Sequence, residues 1–276
     1  MTMKVTASLV LYKSRNDQFE VAMRAFLAVS ADVKLYVVDN SPAPLMSELF
    51  NDRRVEYIYN GANIGFGAAH NVALKLACPS SEVHLILNPD ISFAPGTLTS
   101  LMEEFERTPK LVVAMPRVAY PDGSLQRLCK LLPTPVDLLV RRFVPFDFIR
   151  EKLDKRYELH DLPQEHRSEV PTLSGCFLLV RSTALLEVGG FDERFFMYME
   201  DVDLVRRLAD IGRAIYFPQV SVVHGYAKGS YRNYRLLFYH IRSAIKYFNK
   251  WGWFFDRERQ RRNHAILATL KVQDSL

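Results

Sequence analysis

Leu85-Ile86-Leu87-Asn88-Pro89-Asp90-Ile91 sets how the rest of the chain is read. Three apolar residues in a row read as the end of a strand buried on both faces, and Pro89 lacks the N–H that would continue its ladder. Asp90 is therefore expected just beyond a strand's carboxyl end, the edge at which open α/β sheets bind ligands. A carboxylate there, with the Asn88 amide two residues before it, suits a hard divalent cation. Such a cation takes oxygen ligands and commonly completes its shell with phosphates of a substrate. Asn, Pro and Asp also favour ordinary turns, so the stretch takes its meaning from its surroundings.

Upstream, Val5–Tyr12 reads as a strand, followed by Phe19, Ala22, Met23, Phe26 and Leu27 at helical spacing. Leu35–Val38 is a second strand, closed by the polar turn Asp39-Asn40-Ser41-Pro42. A short helical segment near Leu45–Phe50 leads to a strand at Val55–Tyr59. Asn63-Ile64-Gly65-Phe66-Gly67 then opens a helix to about Ala77, ahead of the strand Val83–Leu87. This alternation over about ninety residues predicts a parallel, doubly wound sheet. Downstream, Leu98, Leu101, Met102 and Phe105 mark a helix and Leu111–Met115 a strand. Regularity lapses over residues 116–171, read as an insertion on the acceptor side with room for one helix. Strand Gly175–Arg181 and helix Ser182–Val188 follow, the latter stopped by Gly189-Gly190. A helix over Asp201–Ile211 and short strands at Ala214–Phe217 and Val220–Val223 lead to His224-Gly225. Residues 230–276 read as a helical, aromatic extension to a main domain of residues 1–229.

With 276 residues, 49% of them hydrophobic and 24% charged, the chain can bury a large core as one large domain or two small ones. The amino terminus shows no leader, and no stretch approaches the roughly 20 apolar residues of a membrane span. Cys78, Cys129 and Cys176 are odd in number and share no metal-like spacing, which points to reduced thiols in a cytoplasmic protein. The net charge is +5, yet Lys228 to Leu276 carries eleven Lys/Arg against three Asp/Glu, leaving the remainder acidic. A basic tail attracts nucleic acid, an anionic membrane surface or a polyphosphate. No nucleic-acid motif accompanies it, so no nucleic-acid partner is expected.

Asp39 ends a second strand at the edge occupied by Asp90, where an acid can accept hydrogen bonds from a bound nucleotide or close an Asx turn. Gly65-x-Gly67 is a partial dinucleotide fingerprint, with His70 where a third glycine would stand, which argues against a dehydrogenase. The two glycines still let backbone approach a ligand closely, and Asn63 and Asn71 flank them as a cap and a ligand contact. The densest acidic cluster is Glu200-Asp201-x-Asp203, approached through Phe195-Phe196-Met197-Tyr198-Met199. Acids are favoured at a helix start in any protein, and here the aromatic approach would also desolvate them. His224 adds an imidazole able to ligate a metal.

The ordered set Asp39, Asn63-x-Gly65-x-Gly67, Asn88-x-Asp90, Gly175-Cys176, Gly189-Gly190-Phe191-Asp192, Glu200-Asp201-x-Asp203-Leu204 and His224 resembles the family 2 glycosyltransferases from about Val5 to about Gly229. The resemblance implies the GT-A fold, a mostly parallel α/β sheet flanked by helices that binds a nucleotide-diphosphate sugar. It implies that Asp201, with Glu200 beside it, is the catalytic base of an inverting transfer. It places Tyr12, Asp39, Asn63, Gly65, Gly67, Asn71, Asn88, Asp90 and Gly175 on the donor side, with Asp39 at the nucleobase. Asp90 and His224 would hold Mg²⁺ or Mn²⁺, and Asp203 and Tyr198 would face the acceptor. Asn88 stands where many members have aspartate, which removes one negative charge from the metal site.

The tail segments Ser230-Tyr231-Arg232, Tyr239-His240-x-Arg242-Ser243 and Tyr247-Phe248-x-Lys250-Trp251-Gly252-Trp253 are similar to bacterial rhamnosyltransferases of O-antigen and capsule assembly. That likeness implies dTDP-rhamnose as donor, with UDP-hexoses as the alternative, and a polyprenyl-diphosphate-linked glycan as acceptor. Leu237, Ile241, Ile245 and Phe248 form an apolar stripe, and Trp251 and Trp253 suit a headgroup boundary. With Arg257, Arg259, Arg261 and Arg262 beyond them, the tail is expected to hold the enzyme peripherally on the inner face of the cell membrane. The rival reading is a nucleotide-sugar-binding protein without turnover, or a tail packed entirely as core.

Overall fold

The computed structural model describes residues 3–140, 147–225 and 234–273. Strands β1 (Lys4–Leu11), β2 (Asp32–Asp39), β3 (Val55–Tyr59) and β4 (Val83–Leu87) pair in parallel in the order β3-β2-β1-β4. Every residue of β4 is buried, four of them apolar and His84 through contacts of its ring nitrogens with the Thr6 and Ser8 hydroxyls. Helix α1 (Asn16–Leu27) packs Phe19, Met23 and Phe26 into the main core. Helix α2 (Phe66–Ala77) buries Gly67, Ala69, Ala73 and Ala77, small residues that let it lie close to β1 and β2.

Beyond β4 the sheet becomes mixed. It continues through β5 (Ile91–Ser92), β6 (Leu111–Ala119), β7 (Ser168–Glu169), β8 (Phe177–Arg181) and β9 (Arg213–His224). β8 runs antiparallel between β4 and β6; β9 is parallel to β6 and antiparallel to β5 and β7. The parallel arrangement expected from the sequence thus describes the first half only. Parallel neighbours need a crossover that returns the chain to the starting edge. The long segment before β8 instead delivers the chain to the ligand edge, where Asn88 N–H donates to the Cys176 carbonyl (2.9 Å). Between β5 and β6, helix α3 (Pro95–Arg107) opens with a proline whose missing N–H is one the first turn leaves unpaired anyway.

Two boundaries shift from their sequence reading. β6 continues through Pro116 to Ala119, because Pro116 sits at a register break where no ladder N–H is required. The same break, opposite Pro218, makes one bulged strand of what reads as two short ones. The irregular insertion holds a π-turn over Val136–Val140 and one helix, α4 (Asp147–Tyr157).

After α5 (Ser182–Glu187) and α6 (Glu200–Leu208), the chain ends in α7 (Tyr234–Trp251) and α8 (Arg257–Gln273). Residues 230–232, part of the tail likeness, lie outside the described residues. Ala244, Tyr247 and Phe248 of α7 bury themselves with Phe195 and Met199, while Ile266 and Leu270 of α8 join the main core. Of the four tail arginines, Arg257 and Arg261 are exposed, while Arg259 and Arg262 are held by the fold. Arg259 is 3% exposed and donates to the carbonyls of Pro133, Gly252, Trp253 and Phe254. Arg262 binds Glu258 and Asp210, and Arg261 also pairs with Glu258. A guanidinium offers five donors in a planar fork, so it serves readily as an internal clasp for carbonyls and carboxylates. The three cysteines are buried and unpaired, and burial pushes the Cys78 and Cys176 thiols up to about 12.

Candidate active site

Leu11, Asp39 and Tyr59 lie in one row across the ends of β1, β2 and β3, and Leu87 pairs with Leu9 of β1. Tyr12, half-exposed, and the turn at Asn88-Pro89-Asp90 therefore emerge at one edge. The Cys176 main chain connects this edge to α6. Asn88 N–H donates to the Cys176 carbonyl (2.9 Å), and the neighbouring Gly175 N–H donates to Asp201 Oδ2 (3.0 Å). Asp90 and Asp201 both act electrostatically on the Cys176 thiol. Gly175 fits because a Cβ there would meet the Asp201 Cβ at 3.2 Å.

Asp90 Oδ1 stands 3.2 Å from His224 Nε2, so the two residues expected to share a metal are adjacent. Gln126 fixes the imidazole. Its Nε2 faces the carbonyls of His224 (2.9 Å) and Ala119 (3.4 Å), which leaves Oε1 to meet His224 Nδ1 at 2.9 Å. Nδ1 must then carry the proton, and Nε2 turns its lone pair toward the carboxylate. Two acceptors in that position call for a cation or a proton between them. Neighbouring ligands of an octahedral cation at about 2.1 Å stand about 3 Å apart, so the donor set fits a divalent ion. Among the described residues no third His, Cys, Asp or Glu completes a cluster, so further ligands would come from diphosphate or water.

Glu200 and Asp201 open α6 directly after Tyr198 and Met199, both left-handed with φ of 68°. Two consecutive non-glycine residues in that region are strained, a feature that gathers at functional sites. Glu200 is buried, and burial together with the Asp201 charge pushes its carboxyl up to about 8. Burial also raises Asp201, against the N–H groups of Gly175 and Val202 that hold its ionised form. The two adjacent carboxyls are thus both raised, Glu200 the more clearly, and the Gly175-Cys176 main chain links them to the turn that carries the Asp90–His224 pair.

The family model described as glycosyl transferase family 2 matches residues 23–186. The chain belongs to glycosyltransferase family 2. An N-acetylglucosaminyl-diphospho-decaprenol L-rhamnosyltransferase of Mycobacterium tuberculosis is 31% identical over 219 residues, covering 75% of this chain and 71% of that one. Rhamnosyltransferase WbbL of Escherichia coli is 28% identical over 258 residues, covering 87% and 90%. Among solved structures, GalNAc-T7 with UDP, GalNAc and Mn²⁺ superposes with a TM-score of 0.59 at 11% identity. Mannosyltransferase PcManGT from Pyrobaculum calidifontis, in complex with GDP-Man and Mn²⁺, does so with 0.57 at 18%. This chain is covered to 88% and 89% in these matches and spans 48% and 65% of those longer chains. They establish the shared GT-A fold.

Several residues that the family likeness assigned to ligands are committed elsewhere in this glycosyltransferase. Asn71 grips Phe191 through both of its main-chain groups and also reaches Glu193, so its amide holds the Gly-Gly-Phe-Asp loop. Gly65 and Gly67 do permit close approach, but by this protein's own Phe196 and Phe191: a Cβ would lie 2.5 Å from the Phe196 carbonyl oxygen and 2.9 Å from the Phe191 Cβ. Asn63 accepts from Gly65 N–H (3.0 Å), a local turn bond ahead of the helix, whose N-cap is Gly65 itself. Asp39 is buried and accepts from Ser41 N–H, Leu45 N–H and the Tyr57 hydroxyl, which makes it the Asx turn that holds the β2 loop. Asp203 is fully buried under Arg207, Lys250 and the Trp251 indole, away from an acceptor. Tyr198 is half-buried with its ring 5.3 Å from that of His240. One further residue belongs to the site: Gln126, which positions His224.

The Glu200 acid has a stability consequence. Its folded pKa lies above its ordinary 4.5, so its contribution is fully present below pH 4.5 and is lost as pH rises through about 8. Glu200→Gln, neutral at every pH, should raise the melting temperature at pH 8.5 and leave it nearly unchanged at pH 4.5. Equal effects at both values would show that Glu200 is not held neutral.

Proposed function

We propose that this glycosyltransferase is an inverting rhamnosyltransferase that uses dTDP-rhamnose and a polyprenyl-diphosphate-linked glycan on the inner face of the cell membrane. The observation that carries the reading is the suspension of Asp201 and the Asn88–Asp90 turn from adjacent residues, Gly175 and Cys176. That arrangement supports a reading in which Asp201 acts as base beside a diphosphate-binding turn at Asn88–Asp90. The names of the M. tuberculosis and E. coli relatives support rhamnose as the sugar, and the former supports a lipid-diphosphate acceptor.

In this mechanism an acceptor hydroxyl gives its proton to the Asp201 carboxylate as its oxygen attacks the anomeric carbon. The bond to the diphosphate oxygen breaks on the opposite face, and the electron pair leaves with the nucleotide diphosphate. Gly175 and Val202 keep the carboxylate aimed, and Glu200 stays neutral beside it. Asp90 and His224 would hold Mg²⁺ or Mn²⁺, which supplies charge neutralisation for the departing diphosphate.

The test is transfer of labelled sugar from dTDP-rhamnose and from UDP-hexoses to a synthetic lipid-diphosphate glycan, with the anomeric configuration of the product read by NMR. Rhamnose transfer with inversion is expected. Transfer from a UDP-hexose alone would move the donor assignment, and a retained configuration would overturn the mechanism. Asp90→Ala should weaken donor binding about tenfold or more and abolish stimulation by Mg²⁺ or Mn²⁺. Full activity of the wild type in EDTA would remove the metal from the scheme.

A further inference from the structure

Helix α7 has two faces with different neighbours. Its inner face buries Ser243, Ala244, Tyr247 and Phe248. Tyr239 and His240 on the same helix set their rings 4.9 Å from Phe196 and 5.3 Å from Tyr198. Those two residues belong to the segment that leads directly into Glu200 and Asp201. α7 therefore forms a wall against the acceptor-side approach to the base.

The outer face is apolar where water would be expected. Tyr234 is 89% exposed, Phe238 60% and Ile245 41%. With 3.6 residues per turn these positions fall within about 40° of one another, a stripe some 17 Å long. Arg235, Arg242 and Lys246 lie together along one flank of that stripe, and the 18 residues of the helix contain no carboxylate. Lys246 donates to the Arg194 carbonyl. Burial, then the charges of Arg242 and Arg194, lowers its pKa against the opposing charge of Asp192. Among the described residues, no helix is long and apolar enough to cross a membrane. An apolar stripe flanked by cations suits a helix lying in the interfacial plane of an anionic bilayer.

We infer that the outer face of α7, through Tyr234, Phe238 and Ile245 with Arg242 alongside, is the surface by which this protein docks on anionic phospholipid. The inference rests on the lipid-linked acceptor proposed above and locates it. A docked α7 brings the Tyr198–Asp201 approach to headgroup level, where a diphosphate on a membrane-embedded prenyl chain is presented. It replaces the four tail arginines, two of which are held inside the fold, with a different set of residues.

The experiment is sedimentation of the full chain with vesicles of phosphatidylcholine alone or mixed with phosphatidylglycerol, at low and high salt. Binding is expected only to the mixed vesicles and should weaken as salt rises. Arg242→Gln should lower partitioning about fivefold. The pair Phe238→Ser and Ile245→Ser should abolish it, while thermal melting and transfer to a short water-soluble acceptor stay at wild-type values. Wild-type protein that ignores the anionic vesicles would overturn the inference, as would variants that bind undiminished. A stripe buried in a second copy, seen as a dimer by ultracentrifugation that the paired replacement dissolves, would overturn it also. Should transfer to the water-soluble acceptor fail in the wild type while vesicle binding persists, the rhamnosyltransferase reading falls and the docking surface stands.

Discussion

Asp201→Asn is expected to lower turnover by about 10²-fold or more while donor affinity, read by calorimetry with the nucleotide sugar, changes little. An amide cannot accept the acceptor's proton near neutral pH, whereas the turn at Asp90, proposed above to hold the diphosphate, is joined to Asp201 only through the Gly175-Cys176 main chain. The substitution is not fully isosteric in this protein. Asp201 accepts from two N–H groups, Gly175 on Oδ2 and Val202 on Oδ1, and asparagine has a single oxygen to offer them. One of those donors would then face an amide NH₂, which should lower the melting temperature slightly. The deciding measurement is therefore turnover at saturating donor and acceptor, on protein shown by circular dichroism to be folded. Near-normal turnover would transfer the base role to Glu200, whose carboxyl is pushed up to about 8 and would act only at higher pH.

The parallel half of the sheet was legible from residues because its signals are local. Four apolar residues around His84 at Val83–Leu87, a turn at Asp39-Asn40-Ser41-Pro42 and a glycine-opened helix each announce themselves within a few positions. The order Gly-Gly-Phe-Asp then Glu-Asp-x-Asp also led to Asp201. Individual polar roles were not legible, because they are settled by partners distant in the chain. Asn71 reads as a ligand contact until Phe191 and Glu193, 120 and 122 residues away, claim its amide. Gly65 and Gly67 announce a close approach without saying what approaches. Asp203 looks like its neighbours Glu200 and Asp201, and only helical phase turns it toward Lys250 and Trp251 instead of the cleft. Gln126 carried no signal, since a glutamine in an irregular segment has no pattern that marks it. The partners of the tail arginines are illegible for a related reason. Composition reports that arginines are present, but not that Asp210, Glu258 and several carbonyls stand ready to receive them.

Asp256→Ala should destabilise the protein by about 3–5 kcal/mol, the cost of leaving a buried charge without its partner. Asp256 and Arg206 form a two-pronged pair at 2.7 Å on each side, with both side chains 3% exposed. Arg206 also lies over the Trp251 ring at 4.0 Å, so the pair joins α6, which begins with Glu200 and Asp201, to the end of α7 and the start of α8. The same carboxylate caps α8 by accepting from Arg259 N–H at 3.0 Å, and loss of such a cap costs about 1 kcal/mol of its own. Urea unfolding should show the loss as a lower midpoint. Burial works to raise the Asp256 pKa, but Arg206, the Arg259 N–H and the Arg259 charge overcome it and hold the carboxyl below the usual range. Its stabilising contribution is therefore present above the ordinary carboxylate pKa of 3.8 and is lost as pH falls through the depressed value. The gap between wild type and Asp256→Ala should accordingly be full at pH 7 and shrink only in strong acid. Replacing both partners, Arg206→Met with Asp256→Leu, separates the two contributions: it removes the buried charges together and should recover most of the lost stability. A double variant as unstable as Asp256→Ala would place the effect in the α8 cap and the packing around Trp251 rather than in the unpaired guanidinium.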